Sequence, residues 1–413
     1  MHLTKKQGRG IIDSMKDLSK RFLGDESAAI RLGEIAKQKQ ALGERVVSFA
    51  LGEPLEPTPM QAIKAGVQAL EQGKTKYTPT QGVQPLRQKI CDWTKICTGV
   101  VYEPHQIVVG NGAKHSIFNA VLAVVSEGEE VIIPAPYWVS YPNIVLAAGA
   151  EPVFVDTSKT GFKMTAESLH KEITKRTKMV VINTPNNPSG VVYTQKELQE
   201  LAEIIIEHDL YVLADEIYGG FVYEGKYTSV ASIEGLKDRT ILIGGMSKDF
   251  AMTGLRIGWS ASNPQIATAC TVMQSHTASC PCSVSQEAAF GTLSDTKQAS
   301  AFVENTRLQY DERRLLLMES LDKLGMEYVI PKGAFYILVS IKQFVGQKAF
   351  GVEIDSADTF ANLLLEKAGV VVVPCEPFGI DNYIRLSCTI GKKDIIEGVK
   401  QLEKFLSELE TVV

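Results

Sequence analysis

Four short segments place reactive side chains where ordinary surface chemistry would not. In Gly245-Met-Ser247-Lys248-Asp-Phe-Ala-Met-Thr253-Gly254-Leu-Arg256-Ile-Gly258-Trp259, Lys248 follows the apolar run Ile241–Met246. Most lysines are solvated surface charges, but the neighbours of this one are apolar or small. Burial disfavours an ammonium and lowers its pKa, and a neutral amine can attack a carbonyl. In Tyr211-Val-Leu-Ala-Asp215-Glu216-Ile217-Tyr218, an apolar run ends in two acids. Asp215 there reads either as a helix N-cap or as a carboxylate paired with a ligand cation. In Asn183-Thr-Pro-Asn186-Asn187-Pro188-Ser189-Gly190, the residues are those of a turn. An amide just past a buried strand can also donate to a ligand oxygen. Finally, Val108-Val109-Gly110-Asn111-Gly112-Ala113-Lys114-His115 reads as a strand, small residues and a helix start. The backbone N–H groups there can cradle an anion such as phosphate.

The elements behind these segments follow from the apolar pattern. Residues Ile107–Gly110, Glu130–Pro134, Pro152–Val155, Met179–Asn183, Tyr211–Asp215 and Thr240–Gly244 read as buried strands. Segments such as Lys196–His208 lie between them with helical spacing. This alternation predicts an α/β fold whose mostly parallel sheet is covered by helices, with ligands at the carboxyl ends of the strands. From Gln298–Leu324, a long helical run, the pattern changes. It goes on through short strands (Ala334–Val339, Val370–Val373, Tyr383–Ser387) and two helices (Ser356–Ala368, Lys392–Leu409). The expected organisation is a segment 1–50 packing on a smaller α+β domain, a large domain 51–304, and the rest of the smaller domain in 305–413.

Composition narrows the function classes. The 413 residues carry a formal net charge of -5, against the basic face expected of a nucleic-acid partner. No run approaches a membrane span, and the N-terminus lacks a secretory pattern. The seven scattered cysteines, an odd number, fit a reducing cytoplasm better than a disulfide framework. Cys280-Pro-Cys282 has no companion pair, so no metal site is expected.

Taken together and in this order, the G-M-S-K-x-x-A-M-x-G-x-R-I-G, N-x-P-N-N-P-S-G and D-E-I-Y segments resemble those of class I aminotransferases of the fold-type I pyridoxal-phosphate group. The similarity is strongest to the bacterial aspartate aminotransferase branch and runs from about residue 27. It implies pyridoxal 5'-phosphate as cofactor, held covalently by Lys248. Asp215 would meet the pyridinium nitrogen, while Asn187 and Tyr218 would meet the 3' oxygen. Trp138, in Pro136-Tyr-Trp138-Val-Ser-Tyr141, would stack on the ring. Arg256 and the N–H groups of Ala113 and Lys114 would take the phosphate. Arg385, in Asn382-Tyr-Ile-Arg385-Leu-Ser387, would clamp the substrate α-carboxylate beside Gly52, with Trp138 and Asn187 close to the substrate as well. Tyr77 would reach the phosphate of a neighbouring subunit, which implies a homodimer with shared sites.

Many members of that group carry a serine three residues before the lysine. Here the position is Gly245, so one phosphate donor is expected to be missing, with Ser247 or backbone in its place. The resemblance implies transamination between an amino acid and a 2-oxo acid, with aspartate or glutamate favoured because Lys114 can reach a distal carboxylate. Against this, Ser27 is followed by Ala28 and Ala29 rather than a hydroxyl residue. Aromatic or other neutral amino acids as substrates, or a lyase on the same fold, are the alternatives. A ligand-sensing regulator would need an added DNA-binding module, for which the unmatched N-terminus is short.

Overall fold

A computed structural model of the chain describes residues 28–410. Ser27 and the residues before it lie outside the described part. Seven strands form the large sheet: β1 Ile107–Gly110, β2 Glu130–Ala135, β3 Glu151–Asp156, β4 Thr177–Asn183, β5 Tyr211–Asp215, β6 Thr240–Gly245 and β7 Gly258–Ala261. Their order across the sheet is β1-β7-β6-β5-β4-β2-β3. The central strands are continuous apolar runs because helices cover both of their faces. Met179–Ile182 and Val212–Ala214 are all buried, and separate apolar clusters fill the two sides of the sheet.

The helices are α1 Ala28–Ala41, α2 Met60–Glu71, α3 Gln84–Thr98, α4 Ala113–Val124, α5 Ser140–Ala147, α6 Ala166–Glu172, α7 Gln195–Glu207, α8 Pro264–Thr277, α9 Ser283–Leu293, α10 Thr296–Lys323, α11 Ala357–Ala368 and α12 Lys392–Leu406. The helix α7 shows the local logic. Thr194 caps it in a reciprocal box with Glu197, and Leu198, Leu201, Ala202 and Ile205 form its buried stripe. Among the described residues no helix is long and apolar enough to cross a membrane.

A second layer is built around an antiparallel sheet of β8 Tyr336–Ser340, β9 Val373–Pro374 and β10 Tyr383–Ser387, with β10 in the middle. Val47–Ser48 pairs in parallel with Val370–Val371, which ties the chain's early part to its late part. Leu32 and Ala36 of α1 share an apolar cluster with Leu338, Val371 and Phe378. The boundary read at 304/305 falls inside α10. Early residues of that helix (Ala299, Val303, Tyr310) join the large core, and Leu317 and Leu321 join the smaller one.

Three details differ from the sequence reading. The strand β7 was not expected; it is four residues long, contains no β-branched residue, and runs antiparallel to both its neighbours. The run Val370–Val373 is two short strands rather than one, pairing in different sheets. The strand expected from Ala334 begins at Tyr336, because Ala334 has a left-handed backbone (φ 56°) that a regular strand does not contain.

Register then positions the chemistry. Asn183 pairs with Asp215, Asp215 with Ile243, and Gly245 with Gly258. The carboxyl ends of β4, β5 and β6 are thus level, and Lys248 lies three residues beyond β6.

Candidate active site

A cavity of about 730 Å³ opens at those strand ends. Ten of the eleven residues singled out in the sequence line it; Tyr77 does not. That side chain is 91% exposed, on the segment between α2 and α3.

Lys248 hangs from the loop after β6, and its Nζ donates to the Gly52 carbonyl. Burial pulls its pKa down to about 8, and the nearby Arg385 guanidinium adds to the effect. Gly52 is needed where it stands, since a Cβ there would lie 2.7 Å from the Tyr336 hydroxyl.

Asp215 ends β5, buried at 5% exposure. Tyr141 donates to its Oδ2 at 2.6 Å and the Ile217 N–H to its Oδ1 at 3.3 Å. Burial raises its pKa, and these two hydrogen bonds oppose the rise. Asn183 fixes the strand end by donating to the Asp215 carbonyl at 2.8 Å and accepting from the Asn187 N–H at 2.9 Å.

The anion-binding corner is built from backbone. The first turn of α4 has no side-chain cap, so its N–H groups are left for a partner. Gly112 (φ +86°) lets Arg256 approach: an added Cβ would sit 2.3 Å from its Nη2. A Cβ on Gly258 would meet the Ala113 nitrogen at 2.2 Å. Arg256 itself has a left-handed backbone and donates to the Thr253 carbonyl at 2.9 Å. Ser247 lines this cavity, whereas Gly245 does not. A side chain at 245 would meet Ile217 Cδ1 at 2.9 Å.

Across the cavity, Arg385 lies in the middle of β10. It donates to Asn187 Oδ1 at 2.9 Å and to the Ala50 carbonyl at 3.1 Å, both neutral acceptors. Its Nε is buried without a partner among the described residues. Tyr336 and Phe378 flank the guanidinium, with ring centroids 4.3 Å and 5.3 Å from its carbon. A buried guanidinium facing only neutral oxygens is suited to an incoming carboxylate. Tyr218 shares a hydrogen bond with Tyr336, hydroxyl to hydroxyl, at 3.0 Å. Trp138 packs edge-on to Tyr141, and Lys114 Nζ lies 4.9 Å from the Trp138 ring. Burial, with the Arg256 charge, lowers the Lys114 pKa.

The sequence reading assigned no role to Tyr141, Tyr336 or Phe378. Tyr141 carried a signal, being three residues from Trp138 and so within one helical turn of it. Tyr336 and Phe378 carried none; they reach the cavity only through the smaller sheet.

The chain was then compared with known proteins. The family description "Aminotransferase class I and II" matches residues 44–402. An aspartate aminotransferase of Bacillus sp. (strain YM-2) is 38% identical over 384 residues, 92% of this chain and 96% of that one. An aspartate/prephenate aminotransferase of Cereibacter sphaeroides is 37% identical over 400 residues, 94% and 99% of the two chains. The solved structure of the Thermus thermophilus aspartate aminotransferase with maleate superposes with a TM-score of 0.89 at 35% identity, covering 95% of this chain and all of that one.

Proposed function

This chain belongs to the class I and II aminotransferases, which use pyridoxal 5'-phosphate, and from that premise we propose that it moves amino groups between dicarboxylic amino acids, aspartate or glutamate, and 2-oxo acids. Its relatives place it in a branch of aspartate, prephenate and aromatic aminotransferases. The cavity fits the cofactor. It offers a buried carboxylate (Asp215), an uncapped helix start beside Arg256, and a lysine whose amine is largely desolvated.

When bound, the cofactor supplies an electron sink for negative charge at the substrate α-carbon. The chain's residues supply the rest. In this reading Asp215 offers its carboxylate to the ring nitrogen, and Tyr141 holds that carboxylate in place. Arg256, with the N–H groups of Ala113 and Lys114, takes the phosphate. Asn187 and Tyr218 serve the ring's 3' oxygen, and Trp138 covers the ring face. Arg385 takes the substrate α-carboxylate, close to the Gly52 backbone. Lys248, with its amine pKa brought near neutrality, carries a proton to and from the α-carbon.

The observation that carries the substrate reading is Lys114. Two lining cations, Lys37 and Lys114, are not taken up by these roles through their side chains; Lys37 is exposed, whereas Lys114 Nζ is held at the face of Trp138. A charge-assisted hydrogen bond to a distal carboxylate is worth about tenfold to a hundredfold in selectivity. Lys114→Ala should therefore lose about that factor in kcat/KM on aspartate and much less on phenylalanine. An equal loss on both would assign the lysine to the phosphate or the fold. The aromatic wall of Trp138, Tyr141, Tyr336 and Phe378 favours aromatic amino acids as second substrates.

The same reading includes a homodimer. Tyr77 is almost fully exposed, and α2 turns Met60, Ile63, Val67 and Leu70 outward along one face. An exposed apolar stripe of this kind marks an association surface. Mixing Lys248→Ala chains with Tyr77→Phe chains should restore activity in hybrid dimers, measured against each parent. Mixing Lys248→Ala with Arg385→Ala should not, because in this reading both residues serve the same chain's cofactor.

A further inference from the structure

Tyr77 is almost wholly exposed, yet the turn that follows it is clamped to the large domain by two side chains with almost no access to water. Gln274, in the last turn of α8, is 1% exposed, and Gln286, in the first turn of α9, is fully buried. Glutamine seldom lies this deep, and a buried amide is tolerated when its donors and its acceptor are matched.

Both amides are matched, and both reach the same stretch of chain. Gln286 Oε1 accepts from the Val83 N–H at 2.7 Å, and its Nε2 donates to Thr78 Oγ1 at 2.9 Å and to the Pro281 carbonyl at 3.1 Å. Gln274 Nε2 donates to the Thr80 carbonyl and, at 2.8 Å, to the Val109 carbonyl of β1. Its Oε1 accepts from Asn119 Nδ2 at 3.2 Å. Backbone completes the clamp: the Gly82 N–H donates to the Pro79 carbonyl at 2.8 Å, and the Val109 N–H to the Gln81 carbonyl at 3.0 Å. Gly82 is left-handed (φ +89°), and a Cβ there would lie 2.9 Å from Val109 Cβ and 3.0 Å from Gln286 Oε1. The turn is therefore pressed directly onto the buried amide. Connecting segments ordinarily run over the surface and are more mobile than the elements they join. Two buried amides committed to one such turn fix the direction in which the chain leaves it, and the residue at that exit is Tyr77.

We propose that Gln286 and Gln274 are positioning residues for the neighbouring chain's site: they hold Thr78–Val83 rigid, so that Tyr77 projects from its own chain already placed for the other chain's phosphate. A group held in place before contact loses less freedom on making it. The proposal rests on the shared-site reading above, and it locates the support of each cofactor partly inside the chain that does not hold it covalently.

The test uses hybrid dimers of a Lys248→Ala chain and a chain with native Lys248, purified through two different tags. The visible absorbance of covalently held cofactor then reports only the site with native Lys248, whose Tyr77 comes from the Lys248→Ala chain. Titration with pyridoxal 5'-phosphate gives the affinity of that site. Tyr77→Phe in the Lys248→Ala chain should weaken it about tenfold to a hundredfold, the range of a hydrogen bond to a charged group. Gln286→Met in the same chain should weaken it about tenfold, Gln274→Met likewise, and Thr78→Val roughly threefold to tenfold. Gln286→Met added to Tyr77→Phe should cost little more, since the two act through one contact. Moved to the chain with native Lys248, Gln286→Met should leave the titration unchanged. Thr78→Val decides should Gln286→Met not fold, with Thr78→Ser expected to restore native affinity. If Tyr77→Phe weakens the site while Gln286→Met and Thr78→Val do not, or if Gln286→Met acts on its own chain's site, the positioning role is overturned and the shared site stands. If Tyr77→Phe itself has no effect, the shared site is overturned and the positioning role with it.

Discussion

Two adjacent pairs of residues, Asp215-Glu216 and Lys248-Asp249, are divided between two cavities. Asp215 and Lys248 line the large one; Glu216 and Asp249 line the small one behind it. All three carboxyls are raised in pKa by burial, but their partners differ. Tyr141 and a backbone N–H hold Asp215, with Lys248 close enough to oppose the rise, and three donors hold Glu216. Asp249 has one backbone N–H. A buried carboxylate therefore does not by itself mark the reaction centre. What distinguishes the two sides is convergence: around Asp215 stand a desolvated lysine, two arginines and an open helix start, whereas the cavity beside Asp249 is lined by no lysine, arginine or histidine.

The sharpest way to break the contrast is to remove the lysine. Lys248→Ala should lower turnover by at least on the order of 10⁴-fold, since both covalent attachment and proton transfer are lost. The folded variant should still take up pyridoxal phosphate weakly, without the visible absorbance of the covalently held form. Normal turnover would undo the assignment of the large cavity.

Next comes the pair of aspartates. Asp215→Ala should cost on the order of 10²- to 10³-fold in kcat, the scale of losing one well-placed electrostatic partner. Asp249→Ala removes an equal charge and should stay within a few-fold of the native rate. Similar losses in steady-state assays would erase the distinction between the cavities.

The smallest effect is on stability. The Asp249 carboxyl has its pKa raised from 3.8 to about 7, so between those values the folded chain binds more protons than the unfolded one. Its contribution to stability is present below about pH 4 and is lost as pH rises through about 7. Asp249→Asn removes that dependence. Thermal unfolding of native and variant from pH 4 to 8 should show the variant gaining on the native protein as pH rises, and a constant difference would mean that Asp249 is paired.

Much of the large cavity was legible in the chain because its residues sit at the ends of short apolar runs, and a run of that kind fixes where a buried strand stops. Asp215 after Val212–Ala214, and Asn183 at the end of its own strand, follow from this alone. The short β7 escaped notice because Gly-Trp-Ser-Ala lacks both alternation and β-branched residues. Tyr336 and Phe378 escaped because their approach to Arg385 depends on how the smaller sheet packs. Gly245 was expected to leave the phosphate corner short of a donor; in the fold its missing side chain would face Ile217, and Ser247 is the one lining the large cavity.

By itself the sequence determined the kind of site: a lysine, an aspartate, an asparagine and two arginines of the right types, spaced so that a mostly parallel sheet presents most of them at its carboxyl ends. Only the tertiary structure decided which side each residue serves. Successive residues of extended chain point to opposite faces, so two neighbours that look alike in the sequence, Asp215 and Glu216, meet different surroundings. The sheet separates those surroundings, and only the packing of α3 and α10 behind it leaves Glu216 and Asp249 lining a cavity of their own.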